Sequence, residues 1–266
     1  DLAVAEIESL AGKPGIKGIM VPTMWHGFPA YGTDHYDRVW AACADTGLVV
    51  HTHSGEADFD SYGENVAMYI SEVPFWTHRI LWQLLFSGKF DRFENLRYAV
   101  VECGSYWIGD LLWKTDVNFG ASWKVKKMGS RMKGLISRLP SEYFGTNVFI
   151  GASTMSTEEI RRRHVNGIDA LMWGTDYPHP EGSWPKTRER LENDFQDVSI
   201  EDTRLLLGLN AIDCYGLDEA GLRVVADRVG PTPEQLGQSP DLRTPADAVE
   251  TARWWINEYG CEMQYA

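Results

Sequence analysis

The chain has 266 residues, of which 44% are hydrophobic and 24% charged, with a net charge of −13 and a sequence pI near 5.0. This length and apolar content can bury a core of domain size, which excludes general disorder. The acidic balance argues against a nucleic-acid or anionic-membrane surface, because such surfaces require clustered Lys and Arg. We expect a single domain over residues 1–266. We further expect a cytoplasmic protein that acts on a small molecule and binds neither nucleic acid nor a membrane. A homo-oligomer is compatible with the sequence.

Short apolar runs alternate with helix-like patterns along the chain, and this alternation is typical of βα units around a parallel sheet. Each run is rich in β-branched residues and is followed by a polar or glycine-containing turn. The predicted strands cover residues 16–21, 48–53, 96–102, 147–151 and 170–174. The sequence therefore predicts an α/β fold with five successive βα units.

Apolar spacing also predicts the helices between these strands. From Tyr36 to Cys43 apolar residues recur at helical intervals, with Asp34 as the predicted N-cap and Gly47 as the stop. Pro74 is predicted to open the next long helix, because proline suits a first helical turn. The remaining predicted helices cover residues 203–215 and a C-terminal docking helix within 237–266.

Two histidines end the second predicted strand, in the sequence Val50-His51-Thr52-His53. Alternation along a strand puts both imidazoles on one face, and in a barrel the inward residues at the carboxyl end face the active site. Neutral imidazole is a common ligand for zinc and similar metals. A pair of hydrogen-bonded core histidines is the alternative, and the motif alone does not separate the two.

Two acids follow other strands. Asp176 lies just after the strand at 170–174 and before Tyr177. A carboxylate there can bind a metal or accept a proton from bound water. An Asp before Tyr-Pro is also common in turns, which is the alternative. Glu102 follows an apolar run, so it is either a functional acid or base or the partner of an Arg or Lys. His179 lies close to Asp176 in sequence and is a candidate for substrate binding.

Tryptophan is abundant, with 11 residues, several of them in loops after strands. Flat aromatic walls suit a planar or conjugated organic substrate. Trp25 and Trp107 are the candidates for this role. Packing between the barrel and its helices is the alternative for most of the others.

Taken together, the motifs resemble the amidohydrolase-related family, also called amidohydrolase 2, in the branch that contains aminocarboxymuconate semialdehyde decarboxylase. The segment from Trp173 to Gly182 is similar to the final-strand motif of that family, and the segment from His51 to Gly55 is similar to its fifth-strand histidine segment. Further matches lie at 91–97, 140–143 and 210–216, in the family's order.

The resemblance implies a (β/α)8 TIM-barrel fold of which this chain carries about strands 4 to 8. It implies that His53 is the fifth-strand metal ligand and that Asp176 is both a ligand and the group that positions or deprotonates the reacting water. His51 is the reserve ligand if the register differs by two. The family's first-strand ligand pair has no counterpart here, and Glu102 falls where the decarboxylases have a catalytic histidine.

These features predict a metal-dependent enzyme that uses one divalent ion, zinc in the first place with manganese or iron as alternatives. The ion would lower the pKa of bound water from about 16 towards about 7. Hydrolysis of a small organic acid or amide is favoured over non-oxidative decarboxylation, because a Glu102 carboxylate would repel a substrate carboxylate. An inactive or structural barrel subunit is the rival from another class, since the first-strand ligands are missing.

Overall fold

The computed structural model of the protein describes residues 1–23, 27–63, 65–122, 134–153, 155–180 and 182–238. Within these ranges five strands form one parallel sheet whose neighbours follow chain order. The strands are β1 (Gly18–Met20), β2 (Val49–His53), β3 (Tyr98–Val101), β4 (Val148–Ser153) and β5 (Leu171–Gly174).

The helices lie between and after the strands. They are α1 (Leu2–Leu10), α2 (Asp37–Thr46), α3 (Val66–Phe86), α4 (Lys89–Arg92), α5 (Ile108–Ser122), α6 (Thr157–Arg161), α7 (Thr187–Phe195), α8 (Ile200–Arg204), α9 (Asn210–Tyr215) and α10 (Glu219–Val229). A π-helical turn (Leu205–Leu209) joins α8 to α9, and short 3-10 turns lie at Asp34–Tyr36, Phe59–Ser61, Pro140–Tyr143, Ile168–Ala170 and Glu234–Leu236. Among the residues that the structure describes, none of these helices combines the length and apolarity that crossing a bilayer requires.

Both faces of the sheet are buried, which explains why its strands read as nearly continuous apolar runs. The outward face packs against the helices in one large cluster that includes Val50, Val100 and Ile150. The inward face forms a second cluster with the end of α9, made of Val49, Ala99, Phe149, Met172 and Cys214. Helix α9 therefore covers part of the inward face of the sheet.

All five predicted strands are confirmed, in the predicted order and each within a few residues of the predicted bounds. Each strand is followed by at least one helix before the next strand begins, as a (β/α)8 fold requires. In the described ranges the sheet is open, because β1 pairs with β2 and β5 pairs with β4 but not with each other. The chain thus has the (β/α)8 type of fold, with five consecutive βα units in view.

Three helix predictions need correction. Asp34 does not cap α2; its carboxylate accepts a hydrogen bond from Lys89 Nζ at 2.9 Å, because a buried ammonium needs a charged partner. Helix α3 begins at Val66, where the Asn65 side chain caps it, and Pro74 lies inside it. Proline removes only the N–H that would reach Ile70, and Ile70 is on the exposed side, where water can serve its carbonyl.

The third correction concerns the helix predicted over residues 203–215. It begins earlier, at Ile200, because the Ser199 hydroxyl accepts a hydrogen bond from Asp202 N and caps it. Its end at Tyr215 is as predicted, with Gly216 in the left-handed conformation. The predicted C-terminal docking helix within 237–266 lies almost entirely outside the described residues.

Two buried asparagines tie the sheet together at the amino ends of its strands. Asn147 Nδ2 donates to the carbonyls of Glu94 and Leu96, both at 2.9 Å. Asn210 Nδ2 donates to the carbonyls of Ile168 and Leu171, at 2.7 and 2.6 Å. One amide group thus serves two backbone acceptors at the point where a strand begins, and Asn210 fixes α9 to the start of β5.

We expect Asn210→Ala to lower the free energy of unfolding by about 2–4 kcal/mol, because it removes both hydrogen bonds from buried carbonyls. The exposed Asn95 supplies the control, and Asn95→Ala should change stability by less than about 0.5 kcal/mol. Urea unfolding followed by circular dichroism measures both. Equal losses in the two variants would contradict the proposed role of Asn210.

Candidate metal centre

The register of the parallel sheet brings several strand ends to one edge. His53 at the end of β2 pairs with Val101, and Ser153 at the end of β4 pairs with Gly174. Glu102 directly follows Val101, and Asp176 comes two residues after Gly174. The carboxyl ends of parallel strands form the active-site face in this type of fold, so these side chains lie where ligands bind.

At this edge Glu102, Asp176 and His179 form a compact group of possible metal ligands. One ligand atom of each residue lies within 4.8 Å of the others. Glu102 and Asp176 are half-buried and His179 is exposed. On the other side of the group, His53 Nε2 is 2.7 Å from Glu102 Oε2. The four side chains thus form a continuous polar patch across β2, β3 and the loop after β5.

Both carboxylates project from an unusual backbone. Glu102 has a φ of 56° and Asp176 a φ of 60°, and these are the positive-φ residues other than glycine among the described residues. The left-handed conformation is unfavourable for residues with a Cβ, and such strain clusters at functional sites. Glu102 directly follows β3 and Asp176 comes two residues after β5, so each left-handed residue lies where the chain leaves a strand.

The loop after β5 is closed on itself by backbone hydrogen bonds. His179 N donates to Asp176 O at 2.8 Å, and Gly182 N donates to His179 O at 3.0 Å. Ser183 N returns to Thr175 O at 2.9 Å. These bonds hold Asp176 and His179 together as one unit.

His51 is placed apart from this group. Its Nδ1 lies 3.0 Å from Ile19 O and its Nε2 lies 3.0 Å from the Tyr215 hydroxyl, so both ring nitrogens have partners. The ring also packs against Gly18, where an added Cβ would be 2.3 Å from His51 Cε1. Burial lowers the pKa of His51, which favours the neutral ring. The structure therefore places His51 apart from the Glu102 group, and its role as a reserve ligand stays a prediction.

Trp107 is also placed apart from the group. Only 7% of its surface is exposed, and its indole stacks on the His78 ring with a centroid distance of 4.1 Å. Burial lowers the pKa of His78 to about 4, so that ring is neutral and part of the core. The predicted substrate contact of Trp107 gives way to packing, because its faces are occupied. Trp25 lies outside the described residues.

The sequence identified His179 only as a candidate for substrate contact. The structure places a ring nitrogen of His179 within 4.8 Å of a carboxylate oxygen of Glu102 and of Asp176. The signal was present as an Asp-x-x-His spacing in a short loop after a strand. Its strength depends on the loop closing back on itself, which the spacing alone does not reveal. Glu102, for which the sequence left two roles open, has its Oε2 2.7 Å from His53 Nε2.

The donor atoms of the group fit a divalent metal ion. Two carboxylates and an imidazole supply oxygen and nitrogen ligands, which zinc, manganese and iron all accept. Two of the three residues also have a left-handed backbone, and such strain is frequent at functional sites. The residues present are thus chemically suitable for such an ion.

Comparison with known proteins identifies the family. The family model described as amidohydrolase matches residues 1–217. The chain belongs to the amidohydrolase family. The amidohydrolase assignment covers all five strands, α1 to α9, and the whole of the polar patch. No curated protein matches the chain.

Solved structures with the same fold include several decarboxylases. The 5-carboxyvanillate decarboxylase of Sphingomonas paucimobilis is 21% identical, with a TM-score of 0.65 over 81% of this chain and 63% of its own. The enzyme of the same name from Novosphingobium aromaticivorans, solved with manganese and a nitrobenzoic acid, is 20% identical, with a TM-score of 0.66 over 81% of this chain and 61% of its own. A dihydroxybenzoic acid decarboxylase from Polaromonas, solved with manganese and 2-nitroresorcinol, is 18% identical, with a TM-score of 0.62 over 83% of this chain and 67% of its own.

These likenesses establish the fold. The chain spans less than two thirds of the length of the two 5-carboxyvanillate decarboxylases, at 63% and 61%. The described strands correspond to one continuous part of a (β/α)8 barrel. In the amidohydrolase chain, the polar patch lies at the carboxyl edge of these five strands.

The left-handed backbone at Asp176 makes a prediction about stability. We expect Asp176→Gly to be more stable than Asp176→Ala by about 1 kcal/mol, because glycine adopts positive φ without a steric penalty. At the exposed Glu189 in α7 the order should reverse by a similar amount, because glycine is a poor helix former. Thermal unfolding of the four variants measures the two differences. An alanine variant at 176 as stable as the glycine variant would exclude the left-handed turn.

Proposed function

We propose that this amidohydrolase is a metal-dependent carboxy-lyase that releases carbon dioxide from a small aromatic carboxylic acid. The observation that carries the proposal is the convergence of Glu102, Asp176 and His179 at the carboxyl edge of the sheet, with His53 in contact. The fold likeness to decarboxylases of carboxyvanillate and dihydroxybenzoate supports this reaction class. It favours decarboxylation over the hydrolysis that the Glu102 carboxylate suggested from sequence.

Glu102, Asp176 and His179 would hold the metal ion, together with His53, the ligand that the family resemblance implies. A divalent ion held there would supply Lewis-acid chemistry by neutralising negative charge on a substrate. Two of the similar structures contain manganese, which supports manganese as the metal. The sequence analysis had placed zinc first. Positive charge at this point also offsets the repulsion between a substrate carboxylate and Glu102.

Asp176 is the proposed proton carrier. In decarboxylation the bond between the ring carbon and the carboxylate breaks, carbon dioxide leaves, and the same carbon gains a proton. The Asp176 carboxyl group would give that proton and recover it from water, so the substrate anion and one proton become the arene and carbon dioxide. The backbone hydrogen bond from His179 N to the Asp176 carbonyl would hold the turn that carries this side chain in place for the transfer.

His53 and Glu102 work as a pair in this proposal. Their contact of 2.7 Å joins the end of β2 to the end of β3. This contact limits the directions in which the Glu102 carboxylate can point, so the two proposed ligands keep a fixed position relative to each other. Glu102 would thus hold position at the metal instead of serving as the proton donor that its location suggested from sequence.

An aromatic pair lies on the same loop as Asp176. The rings of Tyr177 and Trp184 are 5.6 Å apart between centroids, and both residues are exposed, at 64% and 65%. Exposed aromatic surface beside a polar site suits recognition of a flat aromatic ring. This feature supports an aromatic acid as the substrate class and replaces Trp107 as the candidate wall.

The proposed metal site predicts a ranking of metal affinities. In the full-length protein, Glu102→Gln, Asp176→Asn and His53→Gln should each weaken Mn²⁺ binding by about 10-fold or more, because each removes a ligand or its partner. His51→Gln is the control from the same strand and should bind Mn²⁺ within about 3-fold of the parent protein. Calorimetric titration of metal-free protein measures the affinities. A loss in His51→Gln as large as in His53→Gln would restore His51 as the ligand.

The reaction predicts that Asp176→Asn lowers kcat for carbon dioxide release by about 100-fold or more, because the amide cannot carry the proton. Asp169 lies at the opposite end of β5, in the turn before the strand, and is exposed. Asp169→Asn should therefore leave kcat unchanged. Carbon dioxide release from hydroxybenzoic acids by the manganese-loaded full-length protein measures both variants.

The same panel separates the alternatives. Turnover of amides, esters or lactones without carbon dioxide release would replace decarboxylation by hydrolysis. Full activity in Asp176→Asn would remove the proposed proton carrier. A folded full-length protein with neither metal binding nor turnover would instead favour a structural barrel subunit.

A further inference from the structure

Glu159 in α6 joins two loops at the carboxyl edge of the sheet. Its Oε2 accepts hydrogen bonds from Ser156 N and Ser156 Oγ, both at 2.9 Å. Its Oε1 accepts hydrogen bonds from Ser105 N at 2.6 Å and Ser105 Oγ at 3.0 Å. The carboxylate thus takes four hydrogen bonds, two from each loop.

The two halves of this arrangement have different purposes. The Ser156 half is a capping box, in which Glu159 and Ser156 satisfy each other's backbone at the start of α6. The Ser105 half contributes nothing to the cap, since Ser105 follows β3 and lies 54 residues away in sequence. A second, longer-range role for the carboxylate therefore needs an explanation.

Ser105 closes the turn that carries Glu102. Between the two residues the chain passes through Gly104, whose φ of 62° is left-handed like that of Glu102. An added Cβ at Gly104 would be 3.1 Å from Glu159 Oε1 and 2.9 Å from the Tyr106 ring, so the turn lies close against Glu159. Ser105 itself is fully buried. The turn therefore has little freedom while Ser105 is held.

The other end of the turn is held by the sheet. Glu102 N donates to Gly151 O at 2.9 Å, which extends the hydrogen bonding between β3 and β4 by one residue. Glu102 is thus fixed on one side by β4 and, through Ser105, by α6 on the other. Without the Ser105 anchor, the left-handed backbone at Glu102 would be free to relax towards a more favourable conformation.

We propose that Glu159 is a positioning residue for Glu102: by holding Ser105 it fixes the left-handed turn that presents the Glu102 carboxylate to the ligand group. This inference rests on the proposed metal site for its effect on function. Its effect on the turn is a property of the backbone and is measurable without metal.

The test compares Glu159→Ala with Ser156→Ala in the full-length protein. Ser156→Ala removes the hydroxyl of the cap and leaves the contact with Ser105 intact, so it controls for a loss of helix capping. Glu159→Gln retains one acceptor oxygen and serves as the conservative variant if Glu159→Ala folds poorly. Amide hydrogen exchange at Glu102 and Ser105, together with Mn²⁺ titration, is measured for all three.

We expect amide exchange at Glu102 and Ser105 to be at least about 10-fold faster in Glu159→Ala and unchanged in Ser156→Ala. Mn²⁺ binding should weaken by about 10-fold in Glu159→Ala, stay within about 2-fold in Ser156→Ala, and be intermediate in Glu159→Gln. Unchanged exchange at Glu102 in Glu159→Ala would overturn the proposal, and so would equal effects of Glu159→Ala and Ser156→Ala. If the parent protein binds no Mn²⁺, the proposed function fails, and the exchange data alone decide whether Glu159 holds the turn.

Discussion

The parallel register of the sheet is the constraint on which the rest of the structure depends. Because every strand runs in the same direction and pairs with its neighbour in the chain, the strands end together, and the residues that follow them share one edge. His53, Glu102 and Asp176 are far apart in sequence and meet at that edge. No single βα unit of the protein contains the site.

The two ends of the sheet are stabilised by opposite chemical means. At the amino ends, Asn147 and Asn210 donate N–H groups to pairs of backbone carbonyls. At the carboxyl edge, carboxylates accept from backbone N–H groups: Glu159 holds Ser105 and Ser156, and Glu56 Oε2 holds Thr23 N at 2.6 Å. An amide can serve two acceptors and a carboxylate can serve several donors, so one side chain secures two segments in each case. The strained turns at Glu102 and Asp176 lie at the edge held by carboxylates.

The resulting patch combines a fixed backbone with an exposed surface. Glu102 and Asp176 are half-buried, and backbone hydrogen bonds hold the turns that carry them. His179, Tyr177 and Trp184 are exposed to solvent. The patch therefore joins two acids on fixed turns to an imidazole and two aromatic rings that are open to solvent.

The sequence by itself determined the strand order, the five βα units, the family and three members of the patch, because strand periodicity and the segments at His53 and Asp176 are local properties of the chain. It missed the early start of α3. The Asn65 side chain caps that helix at its true start, and solvent can reach the Ile70 carbonyl that Pro74 leaves without a helical donor, so the helix continues through the proline. Only the tertiary structure shows that His51 and His53 have different surroundings. The ring of His51 contacts Ile19 and Tyr215, which is 164 residues away in sequence, whereas His53 Nε2 lies 2.7 Å from Glu102 Oε2. The tertiary structure likewise decided that Trp107 packs in the core and that His179 joins the acids, since both outcomes depend on which distant or looped segment comes to lie beside the side chain.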